Sequence, residues 1–423
     1  MEDDRILRPN WPAAPPQDDV SHGAISPHGR HPVASFSTAL SRKGQGGPGL
    51  FRSFFMGGFE GSSHRRADGQ QLDLIAATRH DEHAFTDYRM LRDHGIATVR
   101  DALRWHLIEA EPGRYDWSSL LPMLHGARRA GVQVIWDLCH YGIPHDLDIW
   151  SPDFLDRFAR FAAAAARVIQ AEGRGEVPFY CPVNEISYWA WAGGDHGHMH
   201  PFGQGRGPEL KRQLARAFIA AVGAVRSVDP RARFITSEPL IHVTTPPEAP
   251  DCDKAGAEEH RLAQFEACDM IAGRLAPELG GDEGCLDIVG VNFYPDNQLF
   301  RGGATIPFGH RLYRPLRLLL ADVHARYNRP LLLTETGAEG GNGPGWLGYV
   351  AGEVRAAKRA GVPVEGICLY PVMDYPGWND DRHCRCGLIR ADWNWRSRAV
   401  DMDLRTQLAE EAALLPAATG KRL

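Results

Sequence analysis

Two apolar runs of this chain end in carboxylates. "PFYCPVNEIS" sets Asn184 and Glu185 side by side after Phe179–Val183, and "PLLLTETG" sets Glu335 just beyond Leu331–Leu333. A carboxylate carried into apolar surroundings is costly unless it is paired or put to use. Similar runs end in other polar residues: Arg100 and Arg104 in "ATVRDALR", His140 and Tyr141 in "VQVIWDLCHY", Asn292 and Tyr294 in "LDIVGVNFY", Asp374 and Trp378 in "GICLYPVMDYPGW". Two carboxyl groups ringed by Arg, His, Asn, Tyr and Trp suit cleavage of a glycosidic bond. One acid protonates the leaving oxygen, the other attacks the anomeric carbon, and aromatic rings stack on the sugar. Three further acids compete. Glu238 in "ITSEP" is the serious rival, Asp137 is placed to pair with an arginine, and Asp101 reads as an ion-pair partner.

These residues need a frame that brings many strand ends together. The strand-like runs are "FRSFFMG", "ATVRDAL", "VQVIWDLCH", "PFYCPVNE", "RFITSE", "LDIVGVNFY", "PLLLTE" and "GICLYPV", and segments of helical periodicity separate them. Ser151 before Pro152 marks one helix start, and Gly95, Gly131 and Gly361 mark helix ends. Strand and helix in alternation, with continuously apolar strands, mean a parallel sheet covered by helices. Eight such strands predict a single (β/α)8 TIM barrel, whose chemistry sits at the C-terminal strand ends. "MGGFEGSS" after the first strand carries no dinucleotide or P-loop glycine pattern. Alternation puts Cys181, Val183 and Glu185 on one face, Gly290, Asn292 and Tyr294 on another, and Leu331, Leu333 and Glu335 on a third. With the apolar members pointing into the barrel, both glutamates would overhang its mouth. Residues 1–49, dense in Pro, Gly, Ser and His, read as an irregular arm; 50–415 is the barrel and 416–423 a short tail.

With 43% hydrophobic and 24% charged residues and a formal net charge of -6, the 423-residue chain has an ordinary globular composition. That charge gives no reason to expect nucleic acid or an anionic membrane as partner. The first residues, "MEDDRILRPNWPAAPPQDD", lack the basic and apolar regions of a secretory signal, and no apolar run is long enough to span a membrane, so a cytoplasmic location is expected. The eight scattered cysteines are then read as free, buried thiols. His196, His198 and His200 alternate in "GGDHGHMHP", a spacing compatible with a metal on an extended segment, but a loop or lid over the site is favoured. "DRHCRCG", with His383, Cys384 and Cys386, lacks the paired spacing of zinc sites. No metal or other cofactor is expected.

From about Phe51 to Asp392 these motifs resemble glycoside hydrolase family 1, the β-glucosidase family, or a divergent sister family in the same retaining clan. "PVNEIS" is similar to its acid/base motif and "LLLTETG" to its nucleophile motif. "ATVRDALRWHLIEAEPGRYDW", "WDLCHYGIPHDL" and "DIVGVNFYP" are similar to its second, third and sixth strands. The resemblance implies that Glu185 is the acid/base and Glu335 the nucleophile, about 5–5.5 Å apart as in retaining pairs. It implies that Arg100 keeps Glu335 ionised, Tyr294 orients it, Asn184 holds the sugar 2-hydroxyl and His140 the neighbouring hydroxyl. The sequence departs from the family where the sugar is read. His64 stands for a glutamine, Gly377 for a sugar-binding glutamate and Tyr370 for a tryptophan, and Trp378 and Asn292 complete the set. The expected activity is a retaining β-glycosidase acting on a small β-glycoside. A transglycosylase or endo-acting enzyme on the same site, and a carbohydrate-binding barrel without catalysis, are the alternatives. The expected partner is a small carbohydrate; a homo-oligomer is left open.

Overall fold

The computed structural model describes residues 49–173 and 175–415, so the segments read as arm (apart from Gly49) and tail lie outside the described residues. Nine parallel strands share one sheet: β1 (Phe55–Gly58), β2 (Thr98–Ala102), β3 (Gln133–Asp137), β4 (Phe179–Cys181), β5 (Arg233–Phe234), β6 (Glu238–Pro239), β7 (Val289–Asn292), β8 (Leu331–Thr336) and β9 (Val364–Leu369). Their order is β5-β4-β3-β2-β1-β9-β8-β7-β6. The two ends of this order belong to one stretch of chain. Phe234 pairs with Tyr180 of β4, Ile235 bridges Ile288, and Glu238 pairs with Val291 of β7. The sheet therefore curls into an α/β barrel.

The expected continuous strand "RFITSE" is thus two short pieces. Between them the Ser237 carbonyl accepts a hydrogen bond from the backbone N–H of Glu185 at 2.8 Å. A carbonyl that serves the neighbouring loop marks where the strand is interrupted.

Long helices cover the outside. The helix Asp153–Glu172 buries Phe154, Phe158, Phe161, Ala162, Ala165, Ala166 and Ile169, one apolar stripe at helical spacing. It starts one residue later than read, with Pro152 at the cap. Gly95, Gly131 and Gly361 do sit at helix ends with left-handed φ of 86°, 71° and 92°.

Met56, Ile135, Phe179, Ile235, Ile288, Leu332, Cys368 and Tyr370 pack as one cluster drawn from around the ring, which is possible only inside it. Leu331 and Leu333 belong instead to the layer between sheet and helices, as does Val183. The expected inward face of Leu331, Leu333 and Glu335 is therefore wrong in phase. Leu333 pairs with Val291, but Glu335 pairs with Asn292, so two steps of β8 match one step of β7. This β-bulge spends the extra residue, Thr334, and turns Glu335 inward as well. On β4, Cys181 keeps the inward phase; beyond it Glu185 returns to the mouth through a left-handed backbone, φ 43° and ψ 62°.

A buried polar cluster ties the first barrel helix to β2. His80 Nδ1 and Nε2 each lie 2.9 Å from a carboxylate oxygen, of Asp87 and Asp101 respectively, and Tyr88 donates to Asp101 at 2.5 Å. Arg398 reaches Asp87 at 2.8 Å from the far end of the described chain. Asp101 is thus an ion-pair partner, through His80. Burial works to lower the His80 pKa, but the carboxylates of Asp101 and Asp87 overcome it and raise it to about 9. An unfolded histidine releases its proton near about 6.5. The stabilisation is then complete below that pH and is lost as pH rises through about 9. Denaturant unfolding should show stability falling across this window, by on the order of 3 kcal/mol, and His80→Gln should flatten the fall.

Candidate active site

Arg100, inward on β2 and 1% exposed, organises the mouth of the barrel. Its Nε and Nη2 donate to the two oxygens of Asp137 at 2.9 and 2.7 Å, a fork-to-fork pair. Its Nη1 donates to Glu335 Oε1 at 2.6 Å, and Nη2 also reaches Asn184 Oδ1 at 2.6 Å. Burial alone would raise the Asp137 pKa, but Arg100 and His140 hold it below the usual carboxylate value. The second Glu335 oxygen accepts from the Tyr294 hydroxyl at 2.8 Å. Both oxygens of Glu335 are therefore fixed by donors, one of them cationic.

Glu185 is held differently. Asn292 Nδ2 donates to its Oε1 at 2.7 Å and the Tyr141 hydroxyl to its Oε2 at 2.5 Å, and among the described residues no cation is in contact with it. Asn292 is aimed because its own Oδ1 accepts from Thr334 at 2.6 Å and Ser237 at 3.0 Å. Burial, then the charge of Glu335, push Glu185 up to about 8. Burial also raises Glu335, against the pull of Arg100. Two buried acids that repel each other share one charge, and the one touching Arg100 takes it.

The rival acid is elsewhere engaged. Glu238 accepts from the backbone N–H groups of Ile186 and Ser187 at 2.6 and 3.0 Å, pinning the turn that carries Glu185. Asp374 accepts from the N–H groups of Cys386 and Gly387 and from Arg390, clipping a loop together. Arg104, which the strand reading put beside Arg100, lies past β2 and pairs with Asp73 and Asp81.

His140 Nδ1 lies 2.8 Å from Asp137 and its Nε2 lies 3.0 Å from Asn184 Nδ2. Tyr370 lies parallel to His140 with ring centres 6.1 Å apart, and Arg100 sits 5.3 Å from the Tyr370 ring centre. Gly58 makes room for that ring, since a Cβ there would meet Tyr370 at 2.3 Å. His64 and Trp378 stand over the mouth, 5.1 Å apart, each against Tyr141. Burial, then the neighbouring His140, His200 and Arg66, lower His64 to about 3, so it is uncharged. Beside Gly377 the space is filled: a Cβ there would meet Asp380 Oδ1 at 2.3 Å. The structure thus brings Glu185, Glu335, Arg100, His140, Asn184, Asn292, Tyr294, Tyr370, His64 and Trp378 to one end of the barrel.

Tyr141 and Asp137 touch the same network and were not singled out as site residues. Their signal was present, since one follows His140 and the other shares its strand. Among the described residues no group of three His, Cys, Asp or Glu could hold a metal. His196 and His198 do not lie on an extended segment. They follow a π-helical turn, Ala190–Asp195, and pack on Trp191, while His200 faces Phe202. His383 stacks on Trp395, and Cys384 is buried in a short hairpin. Cys252 is exposed and Cys386 half-buried, so the cysteines are not uniformly interior.

No protein-family model matches this chain, and no curated protein does. Solved structures similar to it include a family 1 β-glucosidase from Thermotoga maritima, at TM-score 0.70 and 16% identity over 86% of this chain and 98% of that one. The Thermotoga maritima β-glucosidase in complex with glucoimidazole gives 0.70 and 17%, over 86% and 99%. The AHE enzyme from Alicyclobacillus herbarius gives 0.69 and 19%, over 86% and 99%. What is shared is the fold.

The asymmetry of the two acids can be measured directly. Carboxyl-carbon NMR should find Glu185 titrating near pH 8. The Tyr141 bond favours its charged form, so Tyr141→Phe should move that titration upward by about one unit.

Proposed function

We propose that this chain is a retaining β-glycosidase built on a single (β/α)8 domain over residues 50–415, the interrupted stretch from β5 to β6 counting as one strand. The observation that carries the reading is the unequal setting of the two glutamates. Glu335 is gripped at both oxygens and neutralised by Arg100, as suits a nucleophile. Glu185 is pushed up to about 8, as suits a proton donor near neutral pH.

In the first step a Glu335 oxygen attacks the anomeric carbon while Glu185 gives its proton to the leaving glycosidic oxygen. The sugar is then an ester of Glu335, whose negative charge is gone. That relieves the repulsion on Glu185, lowers its pKa and lets it take a proton from the incoming water. Water adds at the anomeric carbon, Glu335 leaves as carboxylate, and the sugar departs with its configuration kept. Asn184, tied to Arg100 through Oδ1, is placed for the sugar 2-hydroxyl, where contact strengthens in the transition state. Only 4% of Glu335 is exposed, and Trp378, His64 and Tyr141 crowd the entrance, which favours release of a terminal sugar from a small glycoside over cleavage within a chain.

On an activated aryl β-glycoside, Glu335→Gln should lower kcat/KM by at least about 10⁴-fold, and NMR of the wild-type reaction should show the β-anomer first. An inverted product or a fully active variant would sink the reading. The wild-type rate should fall as pH rises through about 8, as Glu185 loses its proton. Glu185→Gln should abolish that limb and slow poor leaving groups by about 10²–10⁴-fold, with a much smaller effect on good ones.

A further inference from the structure

A third carboxyl group enters the mouth from the end of β1. Glu60 is buried, and its Oε1 accepts from the Ser62 backbone N–H at 3.1 Å and the Ser62 hydroxyl at 2.7 Å. Among the described residues no donor is bonded to its Oε2. Phe59 faces outward, stacked on His80 at 3.6 Å, so alternation turns Glu60 inward. There its Oε1 lies 3.7 Å from His140 Nε2, beyond hydrogen-bond reach.

The network fixes which hydrogens are present at that corner. Arg100 only donates, so Asn184 must turn its oxygen to Arg100 and its NH₂ to His140. The Nε2 atom of His140 therefore accepts, and its hydrogen is on Nδ1, donated to Asp137. Glu60 Oε1 and His140 Nε2 then face each other with no hydrogen between them, and the single lone pair of Nε2 is already taken by the Asn184 NH₂. The buried acceptor that wants a donor from elsewhere is the Oε2 atom of Glu60.

Resting on the glycosidase reading, we infer that Glu60 is the specificity-determining residue of this site: beside His140, its carboxylate receives a hydrogen-donating substituent, hydroxyl or ammonium, of the bound sugar. The sugar-reading carboxylate comes from the first strand and not from the loop after the last. Glycons with an anionic substituent at this position are rejected, since a third negative group would face Glu60 and Glu335 in a dry site.

The test reads binding, so it does not depend on turnover. Calorimetry would compare wild type and Glu60→Gln against a hydroxylated piperidine iminosugar and its set of monodeoxy and monoamino analogues. Gln keeps the size of the side chain and supplies a hydrogen of its own. The expected result is a loss of about 10²-fold in affinity for the parent compound and under about 3-fold for one monodeoxy analogue, the one already lacking the donor. A monoamino analogue that outbinds the parent only in the wild type identifies ammonium as the donor; preference for the parent identifies hydroxyl. Equal losses across all compounds, unchanged affinity, or no binding by the wild type would overturn the assignment. Turnover that survives Glu335→Gln strikes the glycosidase reading instead, and the two failures are separately visible.

Discussion

The mouth of this barrel depends on one buried cation. Arg100 forks onto Asp137, anchors Glu335 and orients Asn184, and through Asp137 and Asn184 it sets the tautomer of His140. A guanidinium that is 1% exposed is tolerable only with such pairing. One consequence is division of labour. The acid in contact with Arg100 carries the charge, and the acid out of contact keeps its proton. Replacing Arg100 would therefore undo both roles, leaving two repelling carboxyls and an unaimed amide.

Around this centre the backbone is bent to purpose in two places. A bulge at Thr334 lets two successive residues of β8 point inward, one to hold Asn292 and one to stand as Glu335. The gap between β5 and β6 frees the Ser237 carbonyl for Glu185, and Glu238 caps the turn that follows. Each departure from a regular strand lies at the C-terminal end of the sheet. The other end, where nothing needs aiming, is an apolar plug.

Much of this was legible in the sequence. Apolar strands alternating with amphipathic helices gave the α/β barrel, because burial on both faces leaves a plain mark. The residues of the mouth were legible because Arg, His, Asn and Glu are conspicuous at the ends of apolar runs. What strict alternation missed was phase. It pointed Leu331 and Leu333 inward, where Leu332 belongs, since a bulge is a matter of register between two strands and leaves no residue-type signature in one. Arg104 was misplaced for a related reason: the chain leaves β2 at Ala102 and turns into a short helix. The partners of Glu238 are backbone N–H groups, which every residue has, so its anchoring role was invisible. The histidine triplet looked extended but follows a π-helical turn.

The backbone at Glu185 carries a wider consequence. Its left-handed φ of 43° costs a residue with a side chain roughly 1–2 kcal/mol relative to the ordinary helical basin. Glycine would occupy the same turn without that strain. Folding and chemistry therefore pull in opposite directions at this one position, and the fold would gain from losing the very group that a proton transfer needs. In a barrel released from selection for catalysis, mutation here would run downhill toward glycine.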